Sequence, residues 1–204
     1  GNHVLIKGRH QGEFGQKGSN PGEFQYPQGA FATIDGKFYV ADTGNDRVQV
    51  FEAAGTPSFQ FGNSGGRSGN FNAPRSIAVS SKGLIYVADT NNHRIQVFSH
   101  EGIFLKSFGE RNSSESFNTT GELHSPTVLA MDSLDRLYVV DSEGKRIVVF
   151  DEDGKYLVHS GDDGRSFGSF SRVVDITLDE NDNLYIADQG NFKGKVVATF
   201  GIRV

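Results

Sequence analysis

Between residues 74 and 109 the chain alternates apolar runs with turn residues at intervals too short for helices. Ser76-Ile77-Ala78-Val79 leads to the turn Ser80-Ser81-Lys82-Gly83, and Leu84-Ile85-Tyr86-Val87-Ala88 leads to Asp89-Thr90-Asn91-Asn92-His93. Arg94-Ile95-Gln96-Val97-Phe98 then runs to Ser99-His100-Glu101-Gly102, and Ile103-Phe104-Leu105-Lys106-Ser107-Phe108 ends at Gly109. With no helical period present, this predicts four short antiparallel strands, a to d, joined by hairpin turns. Strands a and b carry apolar residues at consecutive positions, which predicts burial on both faces, and Gln96 in strand c is expected to mark a shift towards solvent.

The pattern recurs. Phe38-Tyr39-Val40-Ala41-Asp42, Ile85-Tyr86-Val87-Ala88-Asp89, Leu137-Tyr138-Val139-Val140-Asp141 and Leu184-Tyr185-Ile186-Ala187-Asp188 place their aspartates 47, 52 and 47 residues apart. A fixed period of this size marks modules that bury their apolar surface only by stacking on one another. Four antiparallel strands per module describe a β-propeller blade, with strand a lining a central channel and strand d outermost. The fold expected is therefore all-β, a single propeller domain over residues 1–204 with repeats at about 22–62, 69–109, 121–161 and 168–204.

Glycines seven residues apart (Gly55 and Gly62, Gly102 and Gly109, Gly154 and Gly161) bracket strand d, and Gly8 and Gly15 repeat the spacing. Residues 1–15 thus read as the end of a strand c plus the strand d of a closing blade, while the fourth repeat stops about where its own strand d should begin. Either the four repeats close into a ring, or they form an arc of a larger one, such as a six-bladed ring.

Composition narrows the chemistry. Among 204 residues are 26 glycines, 17 phenylalanines and no cysteine or tryptophan, which excludes disulfides and thiolate-bound metals. No apolar run approaches the roughly 20 residues that span a bilayer, and the first residues lack a signal-peptide pattern, so a cytoplasmic, monomeric protein without membrane contact is expected. A net charge of −5 offers no global attraction to nucleic acid, and any such binding needs a local patch.

Asp42-Thr43-Gly44-Asn45-Asp46-Arg47-Val48-Gln49-Val50-Phe51 and its counterpart from Asp89 to Phe98 resemble the NHL repeat, as do the lead-ins Asn20 to Pro27 and Gly69 to Pro74. The resemblance weakens in the fourth repeat, where Val173 replaces proline and Asn191 to Lys195 replaces the usual Asn-Asn-Arg. It implies a propeller, mostly six-bladed in the family, and most resembles the recognition domain of TRIM-NHL proteins, which binds RNA or protein. Ubiquitin-ligase activity in those proteins lies in RING domains, whose zinc ligands are absent from this chain.

Asp42, Asp89, Asp141 and Asp188 recur in all four repeats and Arg47, Arg94 and Arg146 in the first three, and they are read as scaffold, tying strand b to the b–c turn. Binding is expected where repeats differ, on loops held by rigid blades. The d–a and b–c loops share one face, where Arg67, Arg75, Arg111, Arg165 and Arg172 join His93, His124 and Lys145, with Phe117 and Phe167 among them. Guanidinium groups beside aromatic rings suit single-stranded RNA, by phosphate contacts and base stacking, and suit a protein hot spot equally. The opposite, a–b/c–d face carries an excess of acids, including Asp35, Glu52, Glu101, Asp151, Glu152 and Asp153. Asp162 and Asp163 beside Arg165 favour a protein ligand over a long phosphate backbone.

A propeller-type lyase related to these repeats has zinc-binding histidines just after the strand-a proline, where this chain has Gln28, Arg75 and Thr127. The six histidines share no ligand spacing, and no nucleophile or phosphate-cradling motif occurs. The expectation is a non-catalytic platform without cofactor or metal that binds RNA through its d–a/b–c face, with protein recognition as the alternative and a metal-dependent lyase third.

Overall fold

A computed structural model describes residues 2–6, 9–110, 121–161, 170–191 and 193–197. It opens with the hairpin β1 (Asn2–Ile6) and β2 (Arg9–Phe14), which form a sheet of their own. Two short strands, β3 (Gln16–Lys17) and β4 (Glu23–Phe24), pair in parallel within the following loop. Blade 1 comprises β5 (Gly29–Ala32), β6 (Phe38–Asp42), β7 (Arg47–Phe51) and β8 (Pro57–Phe61). Blade 2 comprises β9 (Pro74–Val79), β10 (Ile85–Asp89), β11 (Arg94–Phe98) and β12 (Phe104–Phe108). Blade 3 comprises β13 (Pro126–Met131), β14 (Leu137–Asp141), β15 (Arg146–Phe150) and β16 (Tyr156–Ser160). The fourth sheet has β17 (Val173–Leu178), β18 (Leu184–Asp188) and β19 (Lys193–Val197). Blades 1 to 3 are antiparallel in chain order, as strands a to d, and the fourth sheet likewise as strands a to c.

The core lies between blades rather than within them. Ile85 and Val87 of β10 pack with Tyr39, Val48 and Val50 of blade 1, while Tyr86 and Ala88 of the same strand pack with Leu129, Leu137 and Val139 of blade 3. Consecutive positions therefore face opposite neighbours, which is why the run is apolar throughout. In β18 only alternate residues are buried: Leu184 and Ile186 face blade 3, while Tyr185 is 37% exposed on the other side.

Paired glycines set how blades meet. Gly102, in the c–d turn of blade 2 at φ +80°, leaves room for the Phe61 ring of blade 1, which a Cβ there would meet at 2.7 Å. Gly109, seven residues on, makes room for Leu123 leading into blade 3. Phe14 meets Gly55 in the same manner, with its ring 5.0 Å from Phe38 and 5.2 Å from Phe51, so β2 stands where the strand d of a blade preceding blade 1 belongs.

This decides between the two ring readings. Strands a to c of the fourth sheet and the c and d strands at the beginning make five, one too many for a single closing blade. The a strands lie in series, β5 by β9, β9 by β13 and β13 by β17, and among the described residues no comparable contact joins β17 to β5. The described blades form an open arc.

Each blade is pinned by one buried carboxylate. Asp89 is fully buried, and its oxygens accept the Asn72 amide at 2.8 Å, Arg94 Nε at 2.8 Å, Gln96 Nε2 at 2.9 Å and Asn92 Nδ2. Arg94 also donates to the carbonyls of Arg67 and Asn70, so the network ties strand b to strand c and to the d–a loop. Asp42 with Arg47 repeats this at 2.8 Å and Asp141 with Arg146 at 3.1 Å, whereas Asp188 accepts the Ser171 and Arg172 amides. Gln96 does not mark a shift towards solvent. It is fully buried, because its amide is satisfied by the Gly69 N–H, the Asn70 carbonyl and Asp89, and strand c is buried along its length.

Among the described residues no helix is long and apolar enough to cross a membrane.

Replacing Asp89 by Asn puts an amide N–H₂ among buried donors and leaves Arg94 without its counter-charge. Breaking one side of a buried pair is expected to lower unfolding free energy by about 3–5 kcal/mol, measured by urea denaturation. A change below about 1 kcal/mol would contradict the pinning role. A second expectation concerns Asp179, whose carboxyl is held down to about 2 by bonds from Asn183, Tyr185 and the Asn181 amide. A depressed folded pKa stabilises above the unfolded value, so the a–b turn of the fourth blade should keep these bonds at pH 4 and lose them as pH falls through about 2. The Asp179 side-chain carboxyl resonance, followed by NMR against pH, reads this directly.

Candidate nucleic-acid interface

Strand a begins, on the d–a/b–c face, with one extra residue. Asp89 pairs with Pro74 and Ala88 with Ser76, so Arg75 is a bulge. Thr127 and Val174 are bulged in the same way. A bulge re-aims the side chain of its extra residue and recurs next to functional sites. With Gln28, these residues occupy equivalent places at the entry to each strand a. Arg75 is half-buried, and its Nε is the buried side-chain nitrogen that lacks a partner among the described residues. A buried donor without an acceptor costs roughly 1–3 kcal/mol, a deficit an anionic ligand would remove.

The d–a and b–c loops frame these entries. Arg67, Lys145 and Arg172 are exposed there, and no side-chain hydrogen bond or ion pair engages them or Arg75 among the described residues. On the opposite face, the cations Lys82, Lys106 and Arg136 are engaged by Glu152, Asp153 and Asp132, at 3.3 Å for Lys106 with Asp153. Lys37 and Lys155 on that face form no ion pair among the described residues, so its neutralisation is partial.

His93 and His124 take a different part. His93 sits in the left-handed region at φ +55° and its Nδ1 bonds the His124 carbonyl, so its ring fastens blade 2 to the lead-in of blade 3. Phe24, Phe71, Leu123 and Phe170 are buried blade-packing residues. Arg111, Phe117, Arg165 and Phe167 lie outside the described residues.

One residue on this face escaped notice in the sequence. Tyr26 is 77% exposed at φ +47° and lines a groove of about 270 Å³ with Lys17, Gln25 and Pro27. The other repeats carry Ala73, Ser125 and Arg172 there, so an aromatic just before the strand-a proline is the departure that could have exposed it. Among the described residues no cluster of three or more His, Asp or Glu is placed to hold a metal ion.

The model of the NHL repeat matches residues 24–51 and 71–98, and that of a 6-bladed beta-propeller matches residues 119–198. No curated protein matches. Among solved structures the chain is similar to a streptogramin B lyase, at 17% identity over 81% of this chain and 49% of that one, with a TM-score of 0.60. It is also similar to a catalytically inactive virginiamycin B lyase from Staphylococcus aureus with quinupristin (16% identity, 93% and 58% covered, TM-score 0.61). The RRP9 WD40 repeats match at 15% identity over 79% and 44%, with a TM-score of 0.61. The chain spans about half the length of these structures, and at such identities the likeness is of fold alone. NHL repeats and a six-bladed-propeller match, on blades of four antiparallel strands, identify an all-β propeller chain.

Proposed function

We propose that this chain is a non-catalytic recognition platform whose d–a/b–c face binds single-stranded RNA. The observation that carries this reading is that Arg67, Arg75, Lys145 and Arg172 share one face where, among the described residues, no carboxylate pairs with them and the buried Nε of Arg75 has no acceptor. Free guanidinium and ammonium groups release counter-ions when they meet phosphates, and Tyr26 offers a ring for a base. Propellers of this kind serve as interaction surfaces, and the chain is read as the target-recognition part of a larger ubiquitin ligase or translational regulator of the TRIM-NHL type, acting in the cytoplasm.

A protein ligand is the second reading. Tyr26 beside its groove, with arginines nearby, is hot-spot chemistry that needs no nucleic acid. The lyase reading ranks below both, since Gln28, Arg75, Thr127 and Val174 at the strand-a entries supply no general base.

Arg75→Ala combined with Arg172→Ala should weaken binding to a pool of short RNAs and flatten its dependence on salt. Two lost phosphate contacts, each worth about 0.7 in the slope of log K against log salt for single strands, predict a decrease of about 1.4. Circular dichroism should stay unchanged. Equal binding by the variant, or no binding by the wild type at moderate salt, would sink the RNA reading. A partner captured from lysate equally with and without ribonuclease would support the protein reading instead.

A further inference from the structure

The first two junctions between blades share a threonine bond to the next strand-a proline carbonyl, and each adds a different bond from its b–c turn to the next lead-in. Thr43 Oγ1 donates to the Pro74 carbonyl at 2.6 Å, and the Asp46 carboxylate accepts the Ala73 amide at 2.7 Å. At the next junction Thr90 Oγ1 donates to the Pro126 carbonyl at 2.7 Å, and His93 bonds the His124 carbonyl. Between blade 3 and the fourth sheet the equivalent residues are Ser142 and Lys145. Ser142 Oγ bonds Thr127 Oγ1 of its own blade at 2.5 Å and makes no bond to the Val173 carbonyl. The Lys145 side chain, unlike those of Asp46 and His93, bonds no group of the next lead-in among the described residues, and the Arg172 amide donates to Asp188 at 2.9 Å, as the Ser125 amide at the second junction donates to Asp141 at 2.8 Å.

With both fasteners missing, a depression of about 50 Å³ opens at this junction, lined by Asp141, Ser142 and Lys145 on one side and Ser171, Arg172 and Val173 on the other. It has room for a few water-sized groups and not for a base. Its inner carboxylate, Asp141, is already held by Arg146 at 3.1 Å. Lys145 and Arg172, on opposite sides, are exposed and without partners among the described residues; the exposed acid nearest in the turn is Glu143. Two cations flanking a small recess whose floor includes Val140 and Phe170 can bind phosphate oxygens at its rim, by a point charge and a planar fork.

We propose that this junction is a phosphate site, in which one phosphate group sits between Lys145 and Arg172 and bridges the two blades. This rests on the reading of the face as a recognition surface and names one subsite within it. The phosphate belongs to an RNA phosphodiester or to a terminal or free phosphate. Because the group replaces fasteners built into the other junctions, binding also stiffens this one.

The test uses the full chain with three probes: inorganic phosphate, a short RNA with a 5′-phosphate and the same RNA without it. Binding is read by amide chemical shifts of Ser142 and Arg172 and by anisotropy across salt concentrations. Lys145→Asn removes the charge while keeping a residue tolerant of the positive φ of 51° found there. It should lower RNA affinity about 3- to 10-fold at low salt and the salt slope by about 0.7. Ser142→Thr keeps both cations and supplies the missing hydroxyl bond, and it should lower affinity at least threefold while slowing amide exchange at the junction. Shifts with both RNAs support a phosphodiester source, and shifts with phosphate or the 5′-phosphorylated RNA alone support a terminal or free one. No shift with any probe overturns the proposal. If RNA binds and Arg75→Ala weakens it while Lys145→Asn does not, the subsite is wrong and the recognition face stands.

Discussion

The arrangement of each complete blade depends on a carboxylate buried where strand b ends. Taken out of water, Asp42, Asp89 and Asp141 are tolerable only because donors converge on them from strand c and the d–a loop. Burial pushes the Asp89 carboxyl above its ordinary value even though the Asn72 amide, Asn92 and Arg94 all oppose the shift. A folded pKa raised in this way contributes stability below the unfolded value and loses it as pH rises, so at neutral pH ionisation works against the fold. What the network supplies is position: one acceptor ties the d–a loop, which lies outside the ladder, to strands b and c, which the ladder already pairs.

That positioning carries through to the exposed face. The loop pinned by Arg94 presents Arg67 and leads into Arg75, and Lys145 adjoins Arg146, whose guanidinium is held by Asp141, so these cations stand on backbone that cannot drift independently. The apolar core lies between blades, which makes the junction the unit of packing and the place where a single changed residue has most effect. Threonine to serine at position 142 is small in volume, yet it accompanies the loss of a bond from one blade to the next and the opening of a recess.

Much of the fold was legible because its signals are local. Short apolar runs, turn residues and the Tyr-Val-Ala-Asp phrase lie within windows of a few residues, and paired glycines mark where side chains from adjacent blades enter. Gln96 was misread for an equally physical reason: an amide in solvent and an amide satisfied by buried partners look identical in sequence, and its partners Gly69 and Asn70 lie 27 and 26 residues away. The strand count at the two ends, which rules out a simple closing blade, emerged only when β1 and β2 were seen paired.

The amino-acid sequence by itself determined the repeat, the antiparallel strand order and which cations belong to which face, because these follow from spacing along the chain. The tertiary structure decided which of those cations are free. Lys82 meets Glu152 across 70 residues and Lys106 meets Asp153 across 47, pairings that only the stacking of blades creates. The bulge at Arg75 and the unfastened junction at Ser142 are of the same kind, since each exists in the relation of one strand or blade to its neighbour and in no segment alone.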